Sequence, residues 1–156
     1  MIYLLRHAHA GNKKAWRGPD DRRPLSASGR HEAAGLIPQY RDRPVATILS
    51  SPALRCQQTV QPLAEQLRLP VGLERRLDVD AEAEEAAALI RPDLDDVVLC
   101  THGELIGQLL GLLRARGAPI DQDAQWPKGS TWLLRLNGDR VAEATYLPPW
   151  AAPGSP

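Results

Sequence analysis

The sequence predicts an α/β protein, a three-layer α/β/α sandwich on a mostly parallel sheet of about six strands with an antiparallel hairpin at one edge. Three observations carry that reading. Short apolar runs of strand length alternate with segments whose apolar residues recur every three or four positions. The runs Ile2 to Leu5 and Val97 to Cys100 have the near-continuous apolar character of strands covered on both faces. The last two runs are joined by Asn137-Gly138-Asp139, a turn signature.

Ile2 to Leu5 reads as the first strand. Residues Ala10 to Pro24 are polar and contain Gly and Pro, the mark of a long loop, and long loops in small domains usually carry function. Ser26 or Ser28 can cap a helix from about Gly29 to Gln39, because a hydroxyl there accepts from the free N–H groups of the first turn. Val45 to Leu49 is the second strand, ended by Ser50-Ser51-Pro52. Pro52 is expected in the first turn of a helix through about Leu67, where its missing N–H costs nothing, with Leu54, Val60, Leu63, Ala64 and Leu67 as the buried stripe. Val71 to Leu73 is a weak third strand, Ala81 to Ile90 an Ala- and Glu-rich helix, and Val97 to Cys100 the fourth strand. Glu104 to Ala115 is a helix closed by Gly117, and Thr131 to Leu136 with Val141 to Leu147 forms the hairpin. The expected organisation is one domain over residues 1–147, then a flexible tail over 148–156. There is no internal repeat, charge block or heptad register.

A chain of 156 residues, 43% of them hydrophobic, can bury a continuous core without oligomeric help, and its oligomeric state is left open. Nineteen Lys and Arg balance nineteen Asp and Glu, so the overall field gives no reason to expect a nucleic-acid polymer or an acidic membrane as partner. Attraction for an anion must be local. No apolar run approaches the roughly 20 residues that cross a bilayer, and no export signal is visible. Cys56 and Cys100 lie in regular segments, as reduced thiols would, so the expectation is a cytoplasmic protein. Abundant Ala, Arg and Leu are consistent with a GC-rich bacterial genome.

In open parallel sheets, ligands bind beyond the carboxyl ends of the strands. Three such ends bear reactive side chains: Leu5-Arg6-His7-Ala8-His9, Ser51-Pro52-Ala53-Leu54-Arg55 and Thr101-His102-Gly103. They would place Arg6, His7, Arg55 and His102 on one rim. Two guanidiniums offer planar forks of donors to phosphate oxygens, so the expected ligand is a phosphoryl group. A neutral imidazole there is a nucleophile. His7 would attack phosphorus and form a phosphohistidine that water cleaves, while Arg6, Arg55 and His102 meet the charge on the equatorial oxygens. The helix after Pro52 would add its N–H groups and positive end.

No metal or other cofactor is required. A metal set of His7, His9 and His102 with Asp20 or Asp21 can be written, but two arginines would repel a cation. His9 is then a pocket-rim residue, and Lys13 and Trp16 in the long loop are candidate substrate-binding residues. Lys13 belongs to a basic stretch, Asn12 to Arg17, suited to an extended anion such as a nucleotide diphosphate, and Trp16 could cover the pocket or stack on a base. His31 reads as a surface or packing residue, Trp126 and Trp132 as packing against the hairpin, and Glu82, Glu84 and Glu85 as a solvated helix face.

Together, Arg6-His7, the stretch Ser51 to Arg55 followed by Gln58-Thr59, Thr101-His102-Gly103, and Leu25-Ser26 with Gly29 beyond resemble the histidine phosphatase superfamily, in family order across nearly the whole chain. The small size, the opening Arg6-His7-Ala8-His9-Ala10 and Arg23-Pro24-Leu25 are similar to the short bacterial branch that includes the SixA-type phosphohistidine phosphatases. Lys128-Gly129-Ser130-Thr131-Trp132 resembles the phosphatase half of mycobacterial proteins that join a Nudix domain to a histidine phosphatase domain, and the expectation is a phosphatase domain without a Nudix half. The resemblance implies that His7 is the phosphoacceptor, that Arg6 and Arg55 hold the phosphate, and that His102 completes the pocket.

Two departures stand out. Ala8 replaces a frequent glycine, and no residue in Leu77 to Glu82 aligns with the family's proton-donating glutamate, although Asp78, Asp80 or Glu82 could swing into the pocket. A general acid contributes about 10²- to 10⁴-fold. Its absence favours good leaving groups, as in phosphohistidine, acyl phosphates and phosphoanhydrides. The expected activity is a metal-independent phosphatase acting on phosphohistidine of a protein or on a small labile phosphate such as a nucleotide. The alternatives are a non-catalytic phosphate-binding module and a phosphoglycerate-mutase-like phosphotransferase, which would need a larger pocket-building insertion.

Overall fold

The computed structural model describes residues 1–151. Its strands are β1 (Ile2–Arg6), β2 (Thr47–Ser50), β3 (Val71–Leu73), β4 (Val97–Thr101), β5 (Thr131–Asn137) and β6 (Arg140–Leu147), and its α-helices are α1 (Ala27–Gln39), α2 (Leu54–Leu67), α3 (Ala83–Ala87) and α4 (Gly103–Ala115). They form one sheet in the order β3-β2-β4-β1-β5-β6. The pairs β3·β2, β2·β4 and β4·β1 are parallel, and β1·β5 and β5·β6 antiparallel, so the expected edge hairpin is present.

Side-chain alternation along β1 sorts the core into two layers. Ile2 and Leu4 point to the face covered by α3 and α4, where they pack with Val97, Leu99, Ile106 and Leu109. Tyr3 and Leu5 point to the face covered by α1 and α2, where they meet Leu36, Tyr40, Val60 and Leu63. Strands buried on both faces need the continuous apolar composition seen in β1 and β4. Tyr40 retains one polar atom in this core, and its hydroxyl is satisfied by Thr131 Oγ1 at 2.8 Å.

Several boundaries differ from the expectation. Ser26, rather than Ser28, caps α1 by accepting from the Gly29 N–H at 3.0 Å. Pro52 stands before the N-cap Ala53 and outside α2. Val60, Leu63 and Ala64 are buried as expected, but Leu67 is 38% exposed and Leu54 half-buried, while Arg55, Cys56 and Thr59 also turn inward. The first turn of α2 thus puts a guanidinium inside the protein instead of a leucine. α3 covers only Ala83–Ala87, although Leu89 and Ile90 beyond it remain buried in irregular chain. Of the residues expected in a flexible tail, Pro148 accepts a 2.7 Å hydrogen bond from Gln39 Nε2, and Trp150 lies against Gly35 of α1. Residues 152–156 lie outside the described part. Among the described residues no helix is long and apolar enough to cross a membrane.

Candidate active site

Parallel pairing brings three strand ends together. β1 and β4 run in register from Ile2↔Val97 to Arg6↔Thr101, so the residues that follow, His7 and His102, emerge side by side. The His7 N–H donates to the Thr101 carbonyl at 3.0 Å, and the two imidazoles lie 5.5 Å apart edge to face. β2 lies on the other side of β4, and its exit through Ser51 to Ala53 delivers Arg55 in the first turn of α2. Thr59, one turn later, accepts from the Ala8 N–H at 3.0 Å and donates to the Arg55 carbonyl at 2.7 Å, tying β1's exit to α2. Two glycines permit the crowding. A Cβ on Gly29 would collide with the His9 carbonyl, and one on Gly103 would come within 2.6 Å of the Arg6 guanidinium.

Arg6, His7, Arg55 and His102 line one cavity of about 410 Å³, together with Gly11, Asn12, Lys13, Arg23, Val79, Glu104 and Lys128. The His7 Nδ1 sits 2.8 Å from the Ala8 carbonyl, which can only accept, so Nδ1 carries the hydrogen and Nε2 carries the free lone pair. Burial drives the His7 pKa down to about 3, with help from the nearby His102, Arg55 and Arg6 and against the bond to Ala8. The ring is therefore held neutral, with the Nε2 lone pair unshared.

Arg55, 3% exposed, is clamped by Asp20 through Nη1 to the Asp20 carbonyl (2.8 Å) and Nη2 to its carboxylate (3.1 Å). Asp20 belongs to a single 3₁₀ turn, Asp20–Arg22, in the long loop, and it also pairs with Arg23 Nε at 3.1 Å. Burial opposes the shift, but Arg23 and Arg55 hold the Asp20 carboxyl below its ordinary range. Arg6 donates through Nη1 to the Trp126 carbonyl at 2.9 Å, and burial lowers its pKa. The Nε atoms of Arg6 and Arg55 are buried without a partner. Buried guanidinium donors left without an acceptor are costly.

Arg55 Nη2 lies 3.2 Å from His102 Nδ1, which must therefore accept. The other nitrogen, Nε2, then donates to Ser51 Oγ at 2.9 Å, and Ser51 passes its own hydrogen to Asp78 at 3.2 Å. Asp78 is thus a support behind His102, 3.7 Å from its Nε2, and does not line the cavity. Asp80 and Glu82 do not line it either; among the described residues Glu104 is the carboxylate that does.

The remaining expected site residues divide. Lys13 lines the cavity. His9 does not, because its Nδ1 is held at the start of α1 by Ser26 Oγ at 2.6 Å. Trp16 does not line it; the indole donates to the Pro19 carbonyl at 2.9 Å and lines an adjoining depression that shares Gly11, Asn12 and Arg23 with the cavity. Cys56 and Cys100 are buried free thiols, and Cys56 Sγ approaches His102 Nε2 at 3.6 Å. No group of three or more His, Cys, Asp or Glu among the described residues is arranged to hold a metal ion. Glu104, Lys128 and the clamp role of Asp20 escaped the sequence reading, since no local pattern links a loop aspartate to an arginine 35 positions on.

A profile of the histidine phosphatase superfamily (branch 1) matches residues 2–80. The chain belongs to this superfamily. Among curated proteins, this histidine phosphatase is 30% identical over 154 residues to the 8-oxo-(d)GTP phosphatase of Mycolicibacterium smegmatis. The match takes in 95% of the chain but 48% of that relative, so the chain spans about half its length. Among solved structures, the protein histidine phosphatase SixA complexed with tungstate superposes with a TM-score of 0.72 at 21% identity, covering 94% of this chain and 93% of that one. A mycobacterial glucosyl-3-phosphoglycerate phosphatase in complex with VO3 superposes with a TM-score of 0.65 at 18% identity, covering 93% and 96%. These two likenesses establish the fold.

Proposed function

We propose that this histidine phosphatase works without a metal through a phosphohistidine on His7, and that it acts on phosphohistidine or on a small labile phosphate. The observation that carries the reading is the state of His7: a buried neutral ring whose free Nε2 shares a cavity with two guanidiniums that have open Nε donors. Nε2 attacks phosphorus, the bond to the leaving group breaks, and water then cleaves the P–N bond to release orthophosphate. Arg6 and Arg55 hold the transferring oxygens. His102 is oriented from behind by Ser51 and Asp78 and completes the electrostatic cradle. The guanidiniums occupy the place where a cation would otherwise screen the phosphate.

The activity of the mycobacterial relative supports a nucleotide among the candidate substrates, and the SixA fold supports phosphohistidine. The test is phosphate release from an aryl phosphate and a phosphohistidine peptide, with and without EDTA, by the natural chain and by His7→Ala. Release should resist EDTA and drop by at least about 10⁴-fold in the variant. Release that survives the substitution, or that EDTA abolishes, would refute the mechanism. Retained phosphate binding with no turnover in the natural chain would identify a binding module instead.

A further inference from the structure

The cavity holds more positive charge than one phosphoryl group uses. Arg6 and Arg55 at its floor match a single dianion, yet its wall also carries Lys13, Arg23 and Lys128 against the one lining carboxylate, Glu104. Arg23 shares the one carboxylate of Asp20 with Arg55, at 3.1 Å from each. The lysines differ. Among the described residues, the ammonium groups of Lys13 and Lys128 make no ion pair and no hydrogen bond, although they come from two separate loops, after β1 and before β5, to the same cavity. Such unpaired cations around a phosphate site are suited to further negative charge on the ligand.

Building on the phosphatase reading above, we infer that Lys13 and Lys128 form a second anion subsite. It takes the penultimate phosphate of a phosphoanhydride, so that the terminal phosphoryl group is the one transferred to His7. The chemistry balances without a carboxylic acid. His7 Nε2 bonds to the terminal phosphorus while the bond from that phosphorus to the bridging oxygen breaks. The oxygen leaves with both electrons on the shortened phosphate, whose second pKa of about 6 lets it depart unprotonated. Water then attacks the phosphohistidine, the P–N electrons return to Nε2, and the spare proton passes to solvent. One water is consumed, and orthophosphate and the shortened phosphate are formed. This leaving group fits a cavity in which Asp78, Asp80 and Glu82 do not reach the lining. A phosphohistidine side chain brings no second phosphate for the lysines.

The source of the phosphoanhydride is either inorganic or organic. A neighbouring cavity of about 500 Å³ shares Arg6 and Glu104 with the first and is walled by Gly107, Gln108 and Trp126, which offers an organic group a place beyond the phosphates.

The deciding experiment compares kcat/KM for pyrophosphate, a nucleoside diphosphate and an aryl phosphate in the natural chain and in the double variant Lys13→Gln, Lys128→Gln. The ratio of diphosphate to aryl phosphate should fall by at least about tenfold in the variant, the equivalent of about 1.4 kcal/mol. A loss shared by both diphosphates supports the subsite with a nucleotide as source, and a loss on pyrophosphate alone supports it with an inorganic one. A ratio that moves less than about twofold, or a natural chain that cleaves neither diphosphate, overturns the subsite. If aryl phosphate hydrolysis still depends on His7 in that case, the phosphatase reading stands without the subsite. If no hydrolysis depends on His7, both fall.

Discussion

At the floor of the cavity, Arg6, His7, Arg55 and His102 stand on strand ends or the first turn of α2, and each is bonded to the protein: Arg6 to Trp126, His7 to Ala8, Arg55 to Asp20, and His102 to Ser51. On the wall, Lys13 and Lys128 hang from loops with no such bond, and Trp16 has turned aside. On the proposed mechanism a phosphoryl group would be met by groups that need not reorganise, whereas the rest of a ligand would meet side chains free to adapt. Preorganised electrostatics lower a barrier; adaptable loops select what enters.

Substitutions at the floor should cost the most. Arg55→Ala removes a buried donor fork and is expected to lower kcat/KM by about 10²- to 10³-fold, as loss of a preorganised donor does. Steady-state kinetics on an aryl phosphate, with circular dichroism to confirm the fold, would measure it, and a loss under about fivefold would erase the contrast between floor and wall.

The second expectation concerns stability. The folded chain keeps His7 neutral down to about pH 3, whereas an unfolded chain protonates it near 6.5. Between those values the unfolded state binds more protons. Stability from this residue is therefore complete above about pH 6.5 and is lost as pH falls toward 3, by up to about 1.4 kcal/mol per pH unit. Thermal melts at pH 7.5 and 5 should show a larger drop for the natural chain than for His7→Gln. Equal drops would mean that the buried ring is not held neutral.

The smallest effect should come from the link between the two regions. Asp20→Asn keeps the backbone carbonyl that accepts from Arg55 and loses only the carboxylate shared with Arg23, so kcat should fall on the order of tenfold or less. Asp20→Glu should recover part of it. A variant indistinguishable from the natural chain would show that the loop does not position Arg55.

How much was legible in advance follows the same division. The strand ends could be read because an apolar run that stops at Arg6-His7, Ser51 or Thr101-His102 marks its own carboxyl end, and parallel order then places those ends on one edge. His9 and Trp16 could not be placed. Each forms a hydrogen bond that holds it off the lining, His9 to the N-cap Ser26 of α1 and Trp16 to Pro19 in its own loop, and no periodicity encodes such a bond. The inward turn of Arg55 and Thr59 was hidden for another reason. Arg55 and Thr59 count as polar in any pattern, yet they turn inward because a clamp and a backbone acceptor await them there.

The sequence by itself determined the α/β alternation, the hairpin edge and the four residues of the floor, because these depend on apolar runs and on what immediately follows them. Tertiary structure decided that Asp20 clamps Arg55, that Asp78 supports His102 through Ser51, and that Lys13 and Lys128 face one cavity. Those relations join segments far apart in the chain, and they exist only once the sheet order and the path of the long loop have set the distances between them.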